Sequence, residues 1–370
     1  MDGNESELMN ISKHDLVFSD TWILDVGFES ESLLNDTLVE LDKGFEKRNE
    51  LEKLNPNILI LSEIYYREGI IGEHLMSDSN LWIRDNGIAP AWGEDLNADG
   101  KVSLDEIETG LIDFTKREVQ EAVSNRAKAL ADSKLFDGIM LDWWSETSAT
   151  TGNLDWSKSY LTLDEEVDAR VDILKLIRNN VPEDFLILVN SNSDITPKSA
   201  PYINGLYMEC YKKEYAAGYE LEEIHKIEST LLWAEKNLRQ PTINCLEGWR
   251  VVSKLDQSEN RSIKERNTEE NLRWMRLFTT MSLTLSDGYV LFSDDNALPL
   301  ADHGHNNYEF WQLNIGKPIE KHVEIELHLY KRKFDNGYVI YNGTNKDVEI
   351  IIEDTIIQVS ALDGMIILDE

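Results

Sequence analysis

Basic residues are scarce in this 370-residue chain: 36 Lys and Arg stand against 70 Asp and Glu, a formal net charge of −34 with His neutral. That imbalance repels phosphate backbones and anionic lipid surfaces, so nucleic-acid and membrane-surface partners are not expected. Cysteine is scarcer still. Cys210 and Cys245 are the only two, which excludes a disulfide scaffold and a thiolate zinc site and leaves two thiols expected to be reduced. No apolar run reaches the length of a membrane span. There is no tandem repeat, no low-complexity linker, no Gly-rich phosphate loop and no Gly-x-Ser-x-Gly elbow, which argues against nucleotide enzymes and α/β-hydrolases. The start, Met1-Asp2-Gly3-Asn4-Glu5-Ser6-Glu7, carries neither the basic nor the apolar segment of a signal peptide. The expectation is therefore either a cytoplasmic protein or a secreted one whose leader has been removed.

What is present is a core-forming composition, 41% hydrophobic and 9% aromatic, enough to set the chain apart from a disordered acidic tail. Strand-like apolar runs alternate with helical patterns. The candidate strands are residues 15–20, 58–66, 111–114, 137–143, 185–192, 205–211, 242–247 and 288–293. Several are continuously apolar, as strands buried on both faces of a parallel sheet must be. Capping-box patterns at Thr115/Glu118, Thr162/Glu165 and Asn267/Glu270 open the intervening helices. Eight such strands point to an α/β fold, a (β/α)8 TIM barrel over residues 15–316 after an N-terminal extension, 1–14, with a doubly wound open sheet as the alternative. Little room remains for a full helix between 192 and 205. From about residue 317 to 370 the texture changes to short runs with turn signals at Asp335-Asn336-Gly337 and Asn342-Gly343, predicting a small C-terminal antiparallel β domain.

In a barrel of this kind, polar residues at the carboxyl ends of strands face the mouth. Asp20, Glu63, Asp142, Asn190, Asn192, Glu209 and Glu247 lie at or near such positions. An acid closing an apolar strand is costly to bury without a partner or a purpose. Gly138-Ile139-Met140-Leu141 delivers Asp142 to the rim, followed by Trp143 and Trp144. Gly205-Leu206-Tyr207-Met208 delivers Glu209, and alternation places Gly205, Tyr207, Glu209 and Tyr211 on one face. Glu247, in Cys245-Leu246-Glu247-Gly248-Trp249, is the reserve carboxylate. Two carboxyls, one protonated and one ionised, are what glycosidic bond cleavage requires, and Trp and Tyr faces offer sugar rings a flat apolar surface. The catalytic candidates are Asp142, Glu209 and Glu247. The sugar-contacting candidates are Trp143, Trp144, Asn190, Asn192, Tyr211 and Trp249.

The run Phe136-Asp137-Gly138-Ile139-Met140-Leu141-Asp142-Trp143-Trp144-Ser145-Glu146 resembles the fourth-strand motif of a TIM-barrel glycoside hydrolase group known as hypothetical glycosyl hydrolases. Leu54-Asn55-Pro56-Asn57, Ile112-Asp113-Phe114-Thr115, Gly205-Leu206-Tyr207-Met208-Glu209 and Asp287-Gly288-Tyr289-Val290 fit as well, so the resemblance spans residues 15 to 295. It implies a polysaccharide- or oligosaccharide-directed hydrolase. By analogy with retaining barrels it maps a nucleophile onto Asp142 and an acid/base onto Glu209. The competing expectation is a carbohydrate-binding barrel that has lost catalysis. A metal-dependent hydrolase would need His and Asp ligands at several strand ends, and none of the seven His lies in the strand ends named. His303-Gly304-His305 reads as part of a polar loop over the mouth.

A second motif is independent of the barrel. Residues 95–106, Asp95-Leu96-Asn97-Ala98-Asp99-Gly100-Lys101-Val102-Ser103-Leu104-Asp105-Glu106, satisfy the twelve-residue EF-hand loop. Asp95, Asn97 and Asp99 supply the first oxygens, Lys101 a carbonyl, Ser103 a hydroxyl or bridging water and Glu106 a bidentate carboxylate, with Gly100 at the sharp turn. The expectation is a structural Ca2+ in a lone inserted loop, and no organic cofactor.

Overall fold

The continuously apolar runs become parallel strands. The computed structural model describes residues 7–85, 87, 89–91, 109–153, 156–214, 216–252, 264–294 and 303–369, in one compact unit within residues 4–204 and another within 205–370. The predicted calcium loop, 95–106, lies outside the described residues. The first unit carries β1 (Leu16–Ser19), β2 (Leu59–Glu63), β3 (Gly138–Leu141) and β4 (Leu186–Asn190), and the second β5 (Gly205–Cys210), β6 (Cys245–Trp249) and β7 (Tyr289–Ser293). The fold is α/β, of the TIM-barrel class: seven parallel strands among the described residues follow one another in chain order, with helices between most of them.

In the first unit, Leu16 pairs with Leu59, Leu61 with Gly138, and Gly138 with Leu186, all in parallel register. Every residue of β3 and β4 is buried. Helices α1 (Leu41–Leu54), α2 (Arg117–Ser133) and α3 (Leu163–Asn180) intervene. The Thr162/Glu165 capping box forms, Thr162 donating its N–H to Glu165 and accepting from the Glu165 N–H in return. The Thr115 box does not. Thr115 turns its hydroxyl to Asp113, and α2 begins at Arg117 without a side-chain cap. Residues 191–204 hold turns and no full helix, as the spacing predicts.

One expected strand is placed differently. Thr109–Leu111 pairs antiparallel with Glu68–Ile70, and β2 pairs directly with β3. The apolar character of residues 111–114 is spent elsewhere: Leu111 joins a small cluster with Ile83 and Ala91, and the buried Phe114 meets Tyr66 edge to face. A four-residue apolar run is too short for its composition to distinguish those uses.

In the second unit, β6 starts three residues later than predicted. Thr242 and Asn244 are held by Glu235 of α4 (Leu221–Asn237) at 2.9 and 2.7 Å, and the ladder begins at Cys245. Glu247 therefore sits in the middle of its strand. Gly248 faces the helices, since a Cβ there would press on the Phe278 ring of α5 (Glu269–Leu285) at 2.6 Å. Alternation then assigns Glu247 and its register neighbour Glu209 to the opposite, inner face. Helix α5 is capped by Thr268, one residue after the expected Asn267.

The antiparallel sheet expected at the C-terminus forms within the second unit. Val323–Glu326, Leu329–Phe334, Gly337–Asn342 and Asp363–Leu368 form an antiparallel sheet, and Val348–Ile352 with Thr355–Val359 a hairpin. Phe334 pairs with Gly337 across the two-residue Asp335-Asn336 turn. The sheet packs on α5, where Arg276 grips the Asp363 carboxylate at 2.9 and 2.8 Å and Gly364 approaches Thr280 too closely for any Cβ.

Candidate functional site

Asp142 is the first residue beyond β3, and Asn190 the last residue of β4. Because Leu141 pairs with Val189, the two polar side chains fall side by side, and Asn190 Nδ2 donates to Asp142 Oδ1 at 2.8 Å. Glu63 lies on the same face two register steps away, opposite Met140. Asp142, Trp143, Glu63, Tyr65, Tyr66, Arg67 and Glu68 line one hollow of the first unit.

The backbone of this hollow is held against its own preference. Trp143 has φ +53° and Asn192 φ +53°, a region that a residue bearing a Cβ enters only where surrounding contacts fix it. For Trp143 those contacts are explicit. Its carbonyl accepts from Tyr66 Oη at 3.1 Å and from Arg170 Nη2 at 3.2 Å. Arg170 and Glu166 form a wholly buried ion pair at 3.0 Å, and Glu166 also accepts the backbone N–H groups of Thr150 and Thr151 at 2.8 and 2.9 Å. The loop that follows Asp142 is thereby tied at both ends to one turn of α3. Glu146 secures it further, accepting from the N–H groups of Lys198 and Ser199 at 2.8 Å each.

Aromatic surface borders the acids. Trp143 is 39% exposed and stacks on Trp156, itself 50% exposed, with ring centroids 6.0 Å apart. The Arg67 guanidinium lies over Trp143 at 4.1 Å. Tyr65, 40% exposed, has its phenol pushed up to about 12, by burial first and then by the negative charges of Glu63, Asp20, Asp142 and Glu68. Burial also raises the Glu68 carboxyl above the ordinary range; Arg67, its ion-pair partner, opposes the rise and Asp142 adds to it. Sequence reasoning passed over Glu68 and Arg67. Their signal was present in Glu63-Ile64-Tyr65-Tyr66-Arg67-Glu68, a charged and aromatic run directly after an apolar strand.

Trp144 is placed away from any ligand surface. It is 1% exposed, and its indole N–H goes to Ser199 Oγ at 3.0 Å. The positive φ of Trp143 turns consecutive tryptophans to opposite environments, one for the surface and one for the core. Asn192 is exposed, and its N–H returns to Asn190 Oδ1 at 3.1 Å.

The second unit holds the other two acids. Glu209 is partly exposed, and Glu247 is completely buried. The Glu247 carboxylate accepts the hydroxyls of Tyr207 and Ser293, and His303 Nδ1 lies 3.0 Å from one oxygen and 3.2 Å from the other. Tyr207 is held protonated, its phenol pushed well up by burial and then by Glu247. Tyr211 is exposed, and the buried Trp249 meets its ring edge to face at 6.2 Å. Beyond Glu247, the buried Asp294 is gripped by Arg250 and Arg266. The two cysteines are free and buried. Cys245 shares the face of Glu247, whereas Cys210 shares a register row with the helix-facing Gly248, so they occupy opposite faces of the sheet. Among the described residues no group of three or more His, Cys, Asp or Glu side chains could hold a metal ion, and no helix is long and apolar enough to cross a membrane.

No family model matches the chain, and no curated protein matches it in sequence. Solved structures do, at low identity. The maltogenic α-amylase AmyB of Thermotoga neapolitana is 13% identical with a TM-score of 0.45, covering 88% of this chain and 80% of its own. An α-amylase from Malbranchea cinnamomea is 9% identical with a TM-score of 0.47, covering 97% and 84%. The glycoside hydrolase domain of PelA from Pseudomonas aeruginosa is 11% identical with a TM-score of 0.41, covering 78% and 91%. These neighbours are glycoside hydrolases, and the likeness is one of fold.

Proposed function

We propose that the chain is a glycoside hydrolase acting on a poly- or oligosaccharide by carboxylate acid/base catalysis. The observation that carries this reading is the setting of Asp142: a carboxylate at the end of an apolar strand, oriented by Asn190, in a hollow it shares with Glu63, Glu68, Tyr65 and Trp143. Trp143 with Trp156, and Tyr65, offer the flat apolar faces on which sugar rings stack. Asp142 is the nucleophile in this proposal, and the reaction is retaining. The acid/base is a carboxyl that keeps its proton longer than usual. Glu209, the sequence candidate, is partly exposed on the inner face of its own unit, and Glu68 is held above the ordinary range inside the hollow of Asp142. Glu247, saturated by two hydroxyls and an imidazole, is less suited to give up or take a proton.

The test is a panel of defined polysaccharides assayed with the wild type beside Asp142→Asn. Product release by the wild type and not by the variant supports the proposal, and the anomer released first, read by proton NMR, decides retention. A wild type inactive on every substrate, yet bound by one of them, would favour the carbohydrate-binding reading. The Ca2+ proposed for Asp95, Asn97, Asp99, Lys101, Ser103 and Glu106 is structural and independent of this chemistry.

A further inference from the structure

We propose that the second unit binds a small monovalent anion, of the size of chloride, against the terminal nitrogens of Arg250. The proposal does not depend on the glycosidase reading.

Strand register brings the site together. Trp249 and Ser293, the last residues of β6 and β7, pair with each other. Arg250 and Asp294 therefore emerge side by side, and the Arg250 backbone N–H donates to the Ser293 carbonyl at 3.0 Å. Arg250 is 0% exposed and Asp294 is 2% exposed. Arg266, two residues ahead of the Thr268 cap of α5, closes on the same carboxylate from another segment. Arg250 gives Asp294 its Nε–H alone. Arg266 gives more: its Nε lies 3.1 and 3.2 Å from the two oxygens, and its Nη2 donates to Oδ2.

Charge and hydrogen-bond counting both leave one anion to be supplied. Two guanidiniums, which do not lose their protons in proteins, share one carboxylate. Among the described residues, Asp294 is the only carboxylate that pairs with either of them. The charges of this group also bear on the buried Tyr308. Its phenol is pushed up by burial first, with Arg266 and Arg250 opposing the rise and Asp294 adding to it. Tyr308 thus keeps its proton and contributes no charge. The group carries a net +1, and a buried charge without a counter-ion is costly. Nη1 and Nη2 of Arg250 are both buried, and neither meets a hydrogen-bond acceptor among the described residues. Asp294 is already spent, because a carboxylate offers about four acceptor positions and the two arginines fill them. The end of a guanidinium bearing Nη1 and Nη2 presents parallel N–H bonds, which suit a negatively charged acceptor.

Burial sets the size of the ligand. Nitrogens without exposed surface exclude a sugar acid or a phosphate ester and admit an ion little larger than a water molecule. Water would satisfy the N–H groups and leave the charge, whereas a halide answers both. An anion held there fixes Arg250 and, through Asp294, the ends of β6 and β7, so it binds the folded chain in preference to the unfolded one.

The experiment measures melting of the full chain as sodium chloride replaces sodium glutamate at constant ionic strength, which holds screening equal. The expected result is a Tm that climbs with chloride and saturates, with bromide acting in its place. Arg250→Met removes the excess charge and the two terminal nitrogens, and its Tm should not respond to chloride. A wild-type Tm indifferent to chloride, or a chloride response kept in Arg250→Met, overturns the proposal. Should Arg250→Met fail to fold, crystals of the wild type grown in bromide decide the matter by anomalous scattering. A bromide peak within hydrogen-bond reach of Arg250 Nη1 and Nη2 supports the site. Water there in the presence of bromide, or bromide on exposed lysines alone, overturns it. The anion response of a chain inactive on every polysaccharide would stand, so the two readings fail separately.

Discussion

Asn190 reaches across from the strand beside β3 to hold Asp142 at 2.8 Å, and the bond follows from register: the parallel pairing that sets Val189 against Leu141 brings the next residue of each chain together. A carboxylate fixed this way is oriented before any substrate arrives. Asp142→Asn keeps the shape and removes the charge, so it should fold normally and lose nearly all turnover, because a neutral amide cannot serve as the attacking carboxylate. Asn190→Ala should cost less, since it leaves the carboxylate in place and removes one charge-assisted hydrogen bond, worth about 1.5–3 kcal/mol. Steady-state kinetics beside melting curves would check both, and a fully active Asp142→Asn would end the assignment.

Glu68 gives the proposal a pH signature. Its carboxyl is raised by burial, with Asp142 adding to the rise and Arg67 opposing it. A proton donor so raised stays protonated to higher pH than an ordinary carboxyl, and activity that depends on it falls as pH climbs through its value. If Glu68 is the acid, Glu68→Gln should lose that alkaline limb along with most of its activity, while Glu209→Gln should leave the limb where it was. The reverse pattern would give the role to Glu209. A carbon-13 titration of the Glu68 carboxyl should also move to lower pH in Asp142→Asn, because the variant removes a negative neighbour.

The Glu166–Arg170 pair should be the costliest polar feature of the first unit to break. Both side chains are completely buried, and together they hold Tyr66, Thr150, Thr151 and the carbonyls of Trp143 and Ser145. Removing one partner strands the other charge away from water. Glu166→Gln should destabilise the chain by about 3–5 kcal/mol in urea unfolding, whereas replacing both by packed apolar residues should cost less. Trp143 fluorescence should shift in the single variant at temperatures where it stays folded, because its carbonyl loses a fixed donor. Native stability in Glu166→Gln would mean the pair is dispensable.

The sequence made the strands legible because most carry short apolar runs, and β3, β4 and β6 are buried along their whole length, whereas β1 and β7 are buried only in part. It misplaced the eighth because Leu111-Ile112-Asp113-Phe114 is too short for its pattern to separate a sheet strand from an antiparallel excursion. Asp142 and Asn190 were visible as polar residues closing apolar strands. Trp143 and Trp144 could not be told apart, since their difference lies in one positive φ that no side-chain pattern encodes. Glu247 was found as an acid but not as a saturated one: its partners Tyr207, Ser293 and His303 come from other strands and a distant loop, and only the parallel register of β5, β6 and β7 brings them together. Glu68 was missed because attention to strand ends stops at Glu63, five residues short.

The calcium loop makes a prediction that needs no substrate. Asp95, Asp99 and Glu106 place three carboxylates within twelve residues of a chain already at −34, and without a cation their mutual repulsion disfavours any closed loop. A cation that binds the folded chain and not the unfolded one stabilises it by RT ln(1 + [L]/Kd), about 2.7 kcal/mol at a hundredfold excess over Kd. The melting temperature should therefore climb with added calcium and fall on chelation. Magnesium should substitute poorly, because it gives up its hydration water reluctantly and demands a tighter octahedral cage. Asp95→Ala combined with Glu106→Ala should abolish the calcium response while leaving Asp142-dependent turnover intact at temperatures where the variant remains folded. Titration calorimetry that detects no calcium binding to the intact chain would remove the site. Activity that vanishes on chelation with the melting curve unmoved would instead place calcium in the chemistry and require the carboxylate mechanism to be rewritten.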